Sequence, residues 1–316
     1  MKLTSWTDET KITIEEIEEK LVQPHADEYS EHSTGYNHWE ITKQYDEDRQ
    51  GFFNGKKVRY NLFNFSVEQI PAGAAIDDDS VTKKTGFIIV YAVSDKVRYI
   101  INRSSDALTL LRKMLFYTGK NEIKKNNLLF TADVFVWLIS KVYNGENVLE
   151  GSNNYLENIA IDIIRGFKGD TEDSLTTISA VGESVMNIIS TLSFLIESKN
   201  LNQIIIGLSY KRHTNLEIKL NNKSTVEFYE KEYAGELLQD YIFDSVRGEI
   251  ILTLYMEVLP IIIQNYQSDI DAHLWSQEKC IHFLTQVAED LDIRVKNRIN
   301  DLKERPEQLM LNLFEE

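Results

Sequence analysis

The chain has 316 residues, with 50 acidic and 34 basic side chains and a formal net charge of -16. Its 42% hydrophobic and 10% aromatic content suffices for a real core and excludes a wholly disordered chain. A surface this acidic repels phosphate backbones, so the sequence predicts weak or no binding of duplex DNA by the protein alone.

A single cysteine, Cys280, leaves no internal disulfide and no zinc-thiolate site within one chain. The chain opens without a basic, apolar leader. Its longest apolar stretch, Ile250 to Ile263, is interrupted by Glu257 and Pro260 and falls short of the roughly 18–20 residues that cross a bilayer. The expectation is a cytoplasmic protein with no membrane span. The charge excess is uneven, since residues 1–50 hold 13 acidic against 5 basic side chains, net -8. A solvated helix and loop, or an acidic docking surface, fits that segment. Frequent Ile, Asn and Lys with only four prolines suit A·T-rich bacterial or phage coding sequence.

In chain order, Ile12 to Val22 reads as a helix, with Ile14, Ile17 and Leu21 on one face, four glutamates on the other and Pro24 just beyond its end. Asn37 to Val67 is extended: Trp39 and Ile41 alternate with polar residues, Asn54-Gly55 marks a turn, and Val58, Tyr60 and Leu62 line one side of a strand. A shift of phase to Phe63, Phe65 and Val67 implies a bulge or a strand buried on both faces. Residues 70–85 read as a loop, and Phe87–Val93 with Val97–Ile101 as a hairpin. Ser104 or Ser105 caps a predicted helix running to Tyr117, with Gly119 in the place of a left-handed C-terminal cap. A second helix begins after Thr131 and stops near Asn144-Gly145.

Leu156 to Phe167 is strand-like, and Leu175 to Ile196 reads as a buried helix. Gln203–Tyr210, Leu216–Leu220 and Thr225–Tyr229 form a meander. From Gly235 onward the chain is helical. The last helix, from about Ser276, repeats Ile281, Leu284, Ala288, Leu291, Val295 and Leu302 at heptad-like spacing, broken by Arg298. That seam packs on the body of the protein or joins two copies as a homodimer through residues 276–304. The predicted class is α+β, with antiparallel hairpins and a three-strand meander packed with helices and a helical C-terminal third. A mixed domain over residues 1–150, a meander-plus-helix domain over 151–305 and a flexible tail over 306–316 are expected.

Chemistry-bearing motifs are sparse. No two of the six histidines share the i, i+4 spacing of paired helical ligands, so no metal site is predicted, and no cofactor. Exposed loops are the expectation for His25, His32 and His38. A metal-dependent nuclease needs a carboxylate on one strand and Glu-x-Lys on a neighbour. Asp162 with Glu217-Ile218-Lys219 is the one candidate set, separated by 54 residues that hold the predicted helix. Gly166-Phe167-Lys168-Gly169 lacks the Gly-Lys-Ser/Thr ending of a phosphate loop and reads as a structural turn.

Beyond Pro306, which ends the last helix, the chain reads Glu307-Gln308-Leu309-Met310-Leu311-Asn312-Leu313-Phe314-Glu315-Glu316. Gln308, Leu309, Leu311, Leu313 and Phe314 resemble the bacterial sliding-clamp-binding motif, Gln-Leu-x-Leu-x-Leu closed by Phe. The resemblance covers residues 308–314 and implies nothing about the fold of the rest. Five matches of restricted type coincide by chance on the order of once in 10⁵–10⁶ starting points. It implies a bacterial DNA sliding clamp as partner, with Leu313 and Phe314 as pocket anchors, Leu311 at the rim and Gln308 fixing register through polar contacts. The function then expected is recruitment to replicating DNA, in replication, repair or anti-phage defence. The alternatives are a metal-dependent nuclease of unrecognised type and an acidic interaction subunit of a larger defence complex.

Overall fold

The computed structural model describes residues 1–28, 32–74, 79–151, 157–170, 177–181 and 200–304. In chain order it begins β1 (Lys2–Asp8), α1 (Ile14–Val22), β2 (Gly35–Lys43), β3 (Arg49–Phe53), β4 (Lys56–Ile70), β5 (Thr82–Val93), β6 (Lys96–Ile101), α2 (Ala107–Met114) and β7 (Ile123–Lys125). Next come α3 (Ala132–Tyr143), β8 (Val148–Leu149), β9 (Ile159–Asp170), β10 (Thr177–Val181), β11 (Asn200–Tyr210), β12 (His213–Asn221), β13 (Val226–Phe228) and β14 (Ala234–Gly235). The last elements are α4 (Leu237–Asp240), α5 (Phe243–Thr253), α6 (Leu259–Asp271) and α7 (Gln277–Glu304). Helices packed with antiparallel sheet make this an α+β protein. No helix among the described residues is long and apolar enough to cross a membrane.

Two compact units share the chain discontinuously. The first takes Met1–Leu129, Arg212–Thr214 and Lys223–Pro260, and the second takes Phe130–Lys211, Asn215–Asn222 and Ile261–Glu316.

In the first unit the strands lie in the order β13-β1-β6-β5-β4-β2, with β3 also beside β4 and β7 beside β1. Phe63, Phe65, Val67, Ile88, Val90, Tyr99 and Ile101 cover one face and pack on Ile14, Ile17 and Leu21 of α1 and on Leu110, Leu111 and Met114 of α2. The other face carries Tyr60, Leu62, Ile89 and Tyr91, all buried. There α5 comes so close that a Cβ on Gly248 would stand 3.0 Å from the Tyr60 ring and 3.2 Å from Tyr45 Oη. The phase shift in β4 is thus burial on both faces, since its register with β5 runs unbroken from Val58 to Gln69.

Local signals account for several boundaries. Thr13 caps α1 in a reciprocal box with Glu16. Asn54 and Gly55, both at positive φ, turn β3 into β4, and the buried carboxylate of Glu257 accepts the Asn54 N–H at 2.8 Å. Between α5 and α6 the helix widens into a π-turn, Leu254–Val258, where the Leu259 N–H reaches back to Leu254 O. Pro260 comes immediately after it. Its missing N–H and bulky ring are what the wider turn accommodates.

Three expectations are corrected here. The segment 82–85 is strand rather than loop: Lys83 pairs with Glu68 and Thr82 with Gln69, a polar ladder without the apolar alternation that marks a strand. Helix α2 starts after Asp106, without a side-chain cap bond, and ends at Leu115, with Phe116 rather than Gly119 in the left-handed position. The segment Gly166–Gly169 is no turn but the outer part of β9, paired on both sides by β10 and β11.

The second unit holds the sheet β10-β9-β11-β12, with β8 beside β9. Thr177–Val181 is a strand, not the start of the helix expected over Leu175–Ile196, and three of its five residues are β-branched. The remainder of that expected helix lies outside the described residues. Two aspartates tie the helices together. Asp269 accepts from Trp137 Nε1 at 2.8 Å and pairs with Lys141 at 2.9 Å, while Asp133 accepts from Tyr266 at 2.5 Å and Trp275 Nε1 at 3.0 Å. Helix α7 docks through Phe283 and Val287, with Phe283 edge-on to Tyr143. The heptad residues Ile281, Val295 and Leu302 are exposed instead.

Candidate binding groove

In the first unit a groove of about 600 Å³ opens between the end of α2, the segment after α1 and the bulged strand β2. Three rings form its floor. His25 lies between Phe116, at 4.6 Å and 22°, and Trp39, at 5.2 Å and 29°. His25 Nε2 is 3.1 Å from Met114 O. A carbonyl only accepts, so Nε2 carries the proton and satisfies one of the orphan carbonyls at the end of α2.

Phe116 sits on backbone that its residue type disfavours, and Trp39 is placed by a bulge in which its neighbour His38 takes positive φ. Phe116 has φ 55°, in the left-handed region, and its N–H bonds Lys113 O at 3.2 Å while Tyr117 N–H bonds Arg112 O at 2.8 Å. That pair of bonds is a Schellman cap, whose left-handed position ordinarily goes to glycine. A phenylalanine there costs on the order of 1–3 kcal/mol. In β2, the pairs Asn37–Glu68 and Glu40–Ser66 leave His38 and Trp39 together opposite Val67. His38 takes φ 52° in this bulge, its N–H held by Asp27 Oδ1 at 2.8 Å and its Nδ1 2.7 Å from Glu68 Oε2. The hydrogen bond to Glu68 raises the His38 pKa above its ordinary value. The extra residue re-aims Trp39 onto His25.

The rim is polar and charged. Lys113 Nζ meets both carboxylate oxygens of Glu28 at 2.7 Å, and Arg112 donates to Gly119 O at 2.7 Å. Leu108 and Phe116 remain 40% and 43% exposed. The groove therefore offers flat and aliphatic apolar surface beside basic groups, the composition of a site for a partner's apolar or aromatic side chain.

A second concavity of about 680 Å³ lies beside the β1–α1 connection and the β5–β6 turn. Its buried acid, Asp8, is saturated: Oδ2 accepts from Tyr99 at 2.5 Å and Tyr117 at 2.6 Å, and Oδ1 from the Thr10 N–H at 2.8 Å and hydroxyl at 2.5 Å. Burial, with the Asp8 charge added, pushes both tyrosine pKa values upward, which keeps them as donors. This cluster fixes β1 to the end of α2.

Asp162, Glu217 and Lys219 line neither concavity. Asp162 is an exposed residue of β9, its pKa raised by desolvation. Glu217, on β12, is buried and accepts from Arg165 Nε at 2.6 Å. Lys219 is half-buried on the same strand. No group of three His, Cys, Asp or Glu residues able to hold a metal occurs among the described residues. Gln308, Leu309, Leu311, Leu313 and Phe314 lie outside the described residues. Of the N-terminal acids, Glu15 pairs with Arg59 and Glu18 with Lys43, so part of that charge is spent inside the unit.

Sequence reasoning passed over His25, Trp39 and Phe116, reading them as a loop histidine, an alternating strand residue and part of a helix. One usable signal was the lack of any glycine between Leu108 and Tyr117 to close α2. No protein-family model matches the chain, and no curated protein sequence matches it.

Proposed function

We propose that this chain is an accessory binding protein brought to replicating DNA by its C-terminal peptide, with Gln308, Leu309, Leu311, Leu313 and Phe314 seated on a bacterial sliding clamp. The peptide's match to the clamp-binding motif carries this reading. Two observations support it. A net charge of -16 leaves the body poorly suited to holding DNA by itself, so a tether supplies what the surface does not. Helix α7, which leads into that peptide in the sequence, is exposed at Leu302 and Lys303. Replication, repair and anti-phage defence all make use of such recruitment, and the aromatic groove is the surface with which the body would engage a second partner.

The test is a binding titration of purified bacterial clamp against the full chain and against a chain ending at Arg305. Micromolar binding by the full chain, lost on truncation, is expected. Equal binding by both chains, or none by the full chain, contradicts the proposal.

A further inference from the structure

Helix α7 is 28 residues long, yet after Val287 none of its described side chains is buried. This outer half is nevertheless not a uniformly polar surface helix. Ala288, Leu291, Val295, Ile299 and Leu302 recur at spacings of three and four, which places them on one stripe along about 21 Å of helix. Val295, Ile299 and Leu302 are 39%, 46% and 41% exposed.

Charge along the stripe selects its occupant. We infer that a second copy of this chain covers it, with the two α7 helices antiparallel and offset so that Val295 of each lies against Arg298 of the other. In that register Leu291 meets Leu302 of the second copy and Leu302 meets its Leu291, two apolar contacts related by the two-fold axis, with Val295 of each copy packed on the aliphatic stem of Arg298 of the other. Arg294 then falls opposite Asp301 of the second copy, and Asp301 opposite its Arg294. Arg298, at the seam, extends across the opposite flank toward Asp292 of the second copy. A parallel pair fails on the same residues, because Arg298 would face its own symmetry mate in the seam, and Arg294 would lie beside Ile299. Within one chain Arg294 already bonds Asp290 at 2.8 Å and Asp292 bonds Lys296 at 2.6 Å. Pairing therefore adds a further carboxylate to Arg294 and a further cation to Asp292. The short overlap makes this a weak dimer, in the micromolar range, and the single buried-seam arginine sets its register at a cost in affinity.

The lone cysteine supplies a reporter. A nitroxide on Cys280, compared with one on Gln286→Cys in a Cys280→Ser background, reads the orientation of the pair by pulsed dipolar spectroscopy at about 200 μM protein. At a rise of about 1.5 Å per residue, the antiparallel register places the two labels about 50 Å apart at position 280 and about 32 Å apart at position 286. A parallel pair gives less than about 20 Å at both, and a monomer gives no dipolar modulation; either result overturns the inference. Sedimentation of charge variants supplies an independent arm. Arg294→Asp should weaken self-association about tenfold, and adding Asp301→Arg should restore it, with circular dichroism recorded for each variant because Arg294 is half-buried and also bonds Asp290 within its own helix. Failure of the double variant to recover would count against the register.

Discussion

The first unit places two clusters at the end of α2, and they differ in what they leave unfinished. At Asp8 four donors converge on one buried carboxylate, and every partner comes from ordinary strand, helix or turn backbone. In the neighbouring groove the rings of Trp39, His25 and Phe116 stack with part of their surface exposed, and two non-glycine residues, His38 and Phe116, are held in left-handed backbone to put them there. A saturated polar cluster repays its burial within the fold. An exposed aromatic stack on disfavoured backbone does not, and so calls for a ligand or partner to justify it.

Substitutions can break this contrast. Asp8→Ala leaves two buried tyrosine hydroxyls without their acceptor and should lower the unfolding free energy by about 3–5 kcal/mol, measured by chemical denaturation. A loss below about 1 kcal/mol would mean that Asp8 is not a keystone of the fold. Phe116→Gly removes a half-exposed ring but relieves the left-handed strain, so stability should change by no more than about 1 kcal/mol in either direction. A drop as large as that of Asp8→Ala would place Phe116 in the core and remove the case for the groove. The finest test is the bulge. Because Glu68 raises the pKa of His38, the folded state binds that proton more tightly than the unfolded chain does. The resulting stabilisation is complete below the ordinary histidine pKa of about 6.5 and fades as pH rises through the folded value. By NMR titration Glu68→Gln should return His38 to its ordinary range; an unmoved titration would show that the carboxylate is not the cause.

Much of the fold was legible because short-range signals agreed with the tertiary outcome. Asn54-Gly55 forms the turn it encodes, Thr131 caps α3 by accepting from Val134 N, and Ile14, Ile17 and Leu21 face the sheet. The misses fall where long-range pairing decides. Residues 82–85 are too polar to announce a strand and become one because β4 runs on beside them. Thr177–Val181 begins a run apolar enough for a helix, yet it pairs with β9. Phe116 could not be placed because the left-handed position falls before the first available glycine, Gly119. The groove itself joins residues from three separate segments, which no local window contains.

The proposed clamp-binding role of the C-terminal peptide is the reverse case, resting on seven residues of sequence and on nothing in the fold. Calorimetry of a 306–316 peptide with a purified bacterial sliding clamp tests recruitment most directly. A micromolar complex holds about 8 kcal/mol, and replacing Leu313 and Phe314 by alanine removes on the order of 3–6 kcal/mol of apolar burial. The native peptide should therefore bind with measurable heat and the double-alanine peptide should not. No heat from the native peptide, or equal affinity for both, would contradict the account.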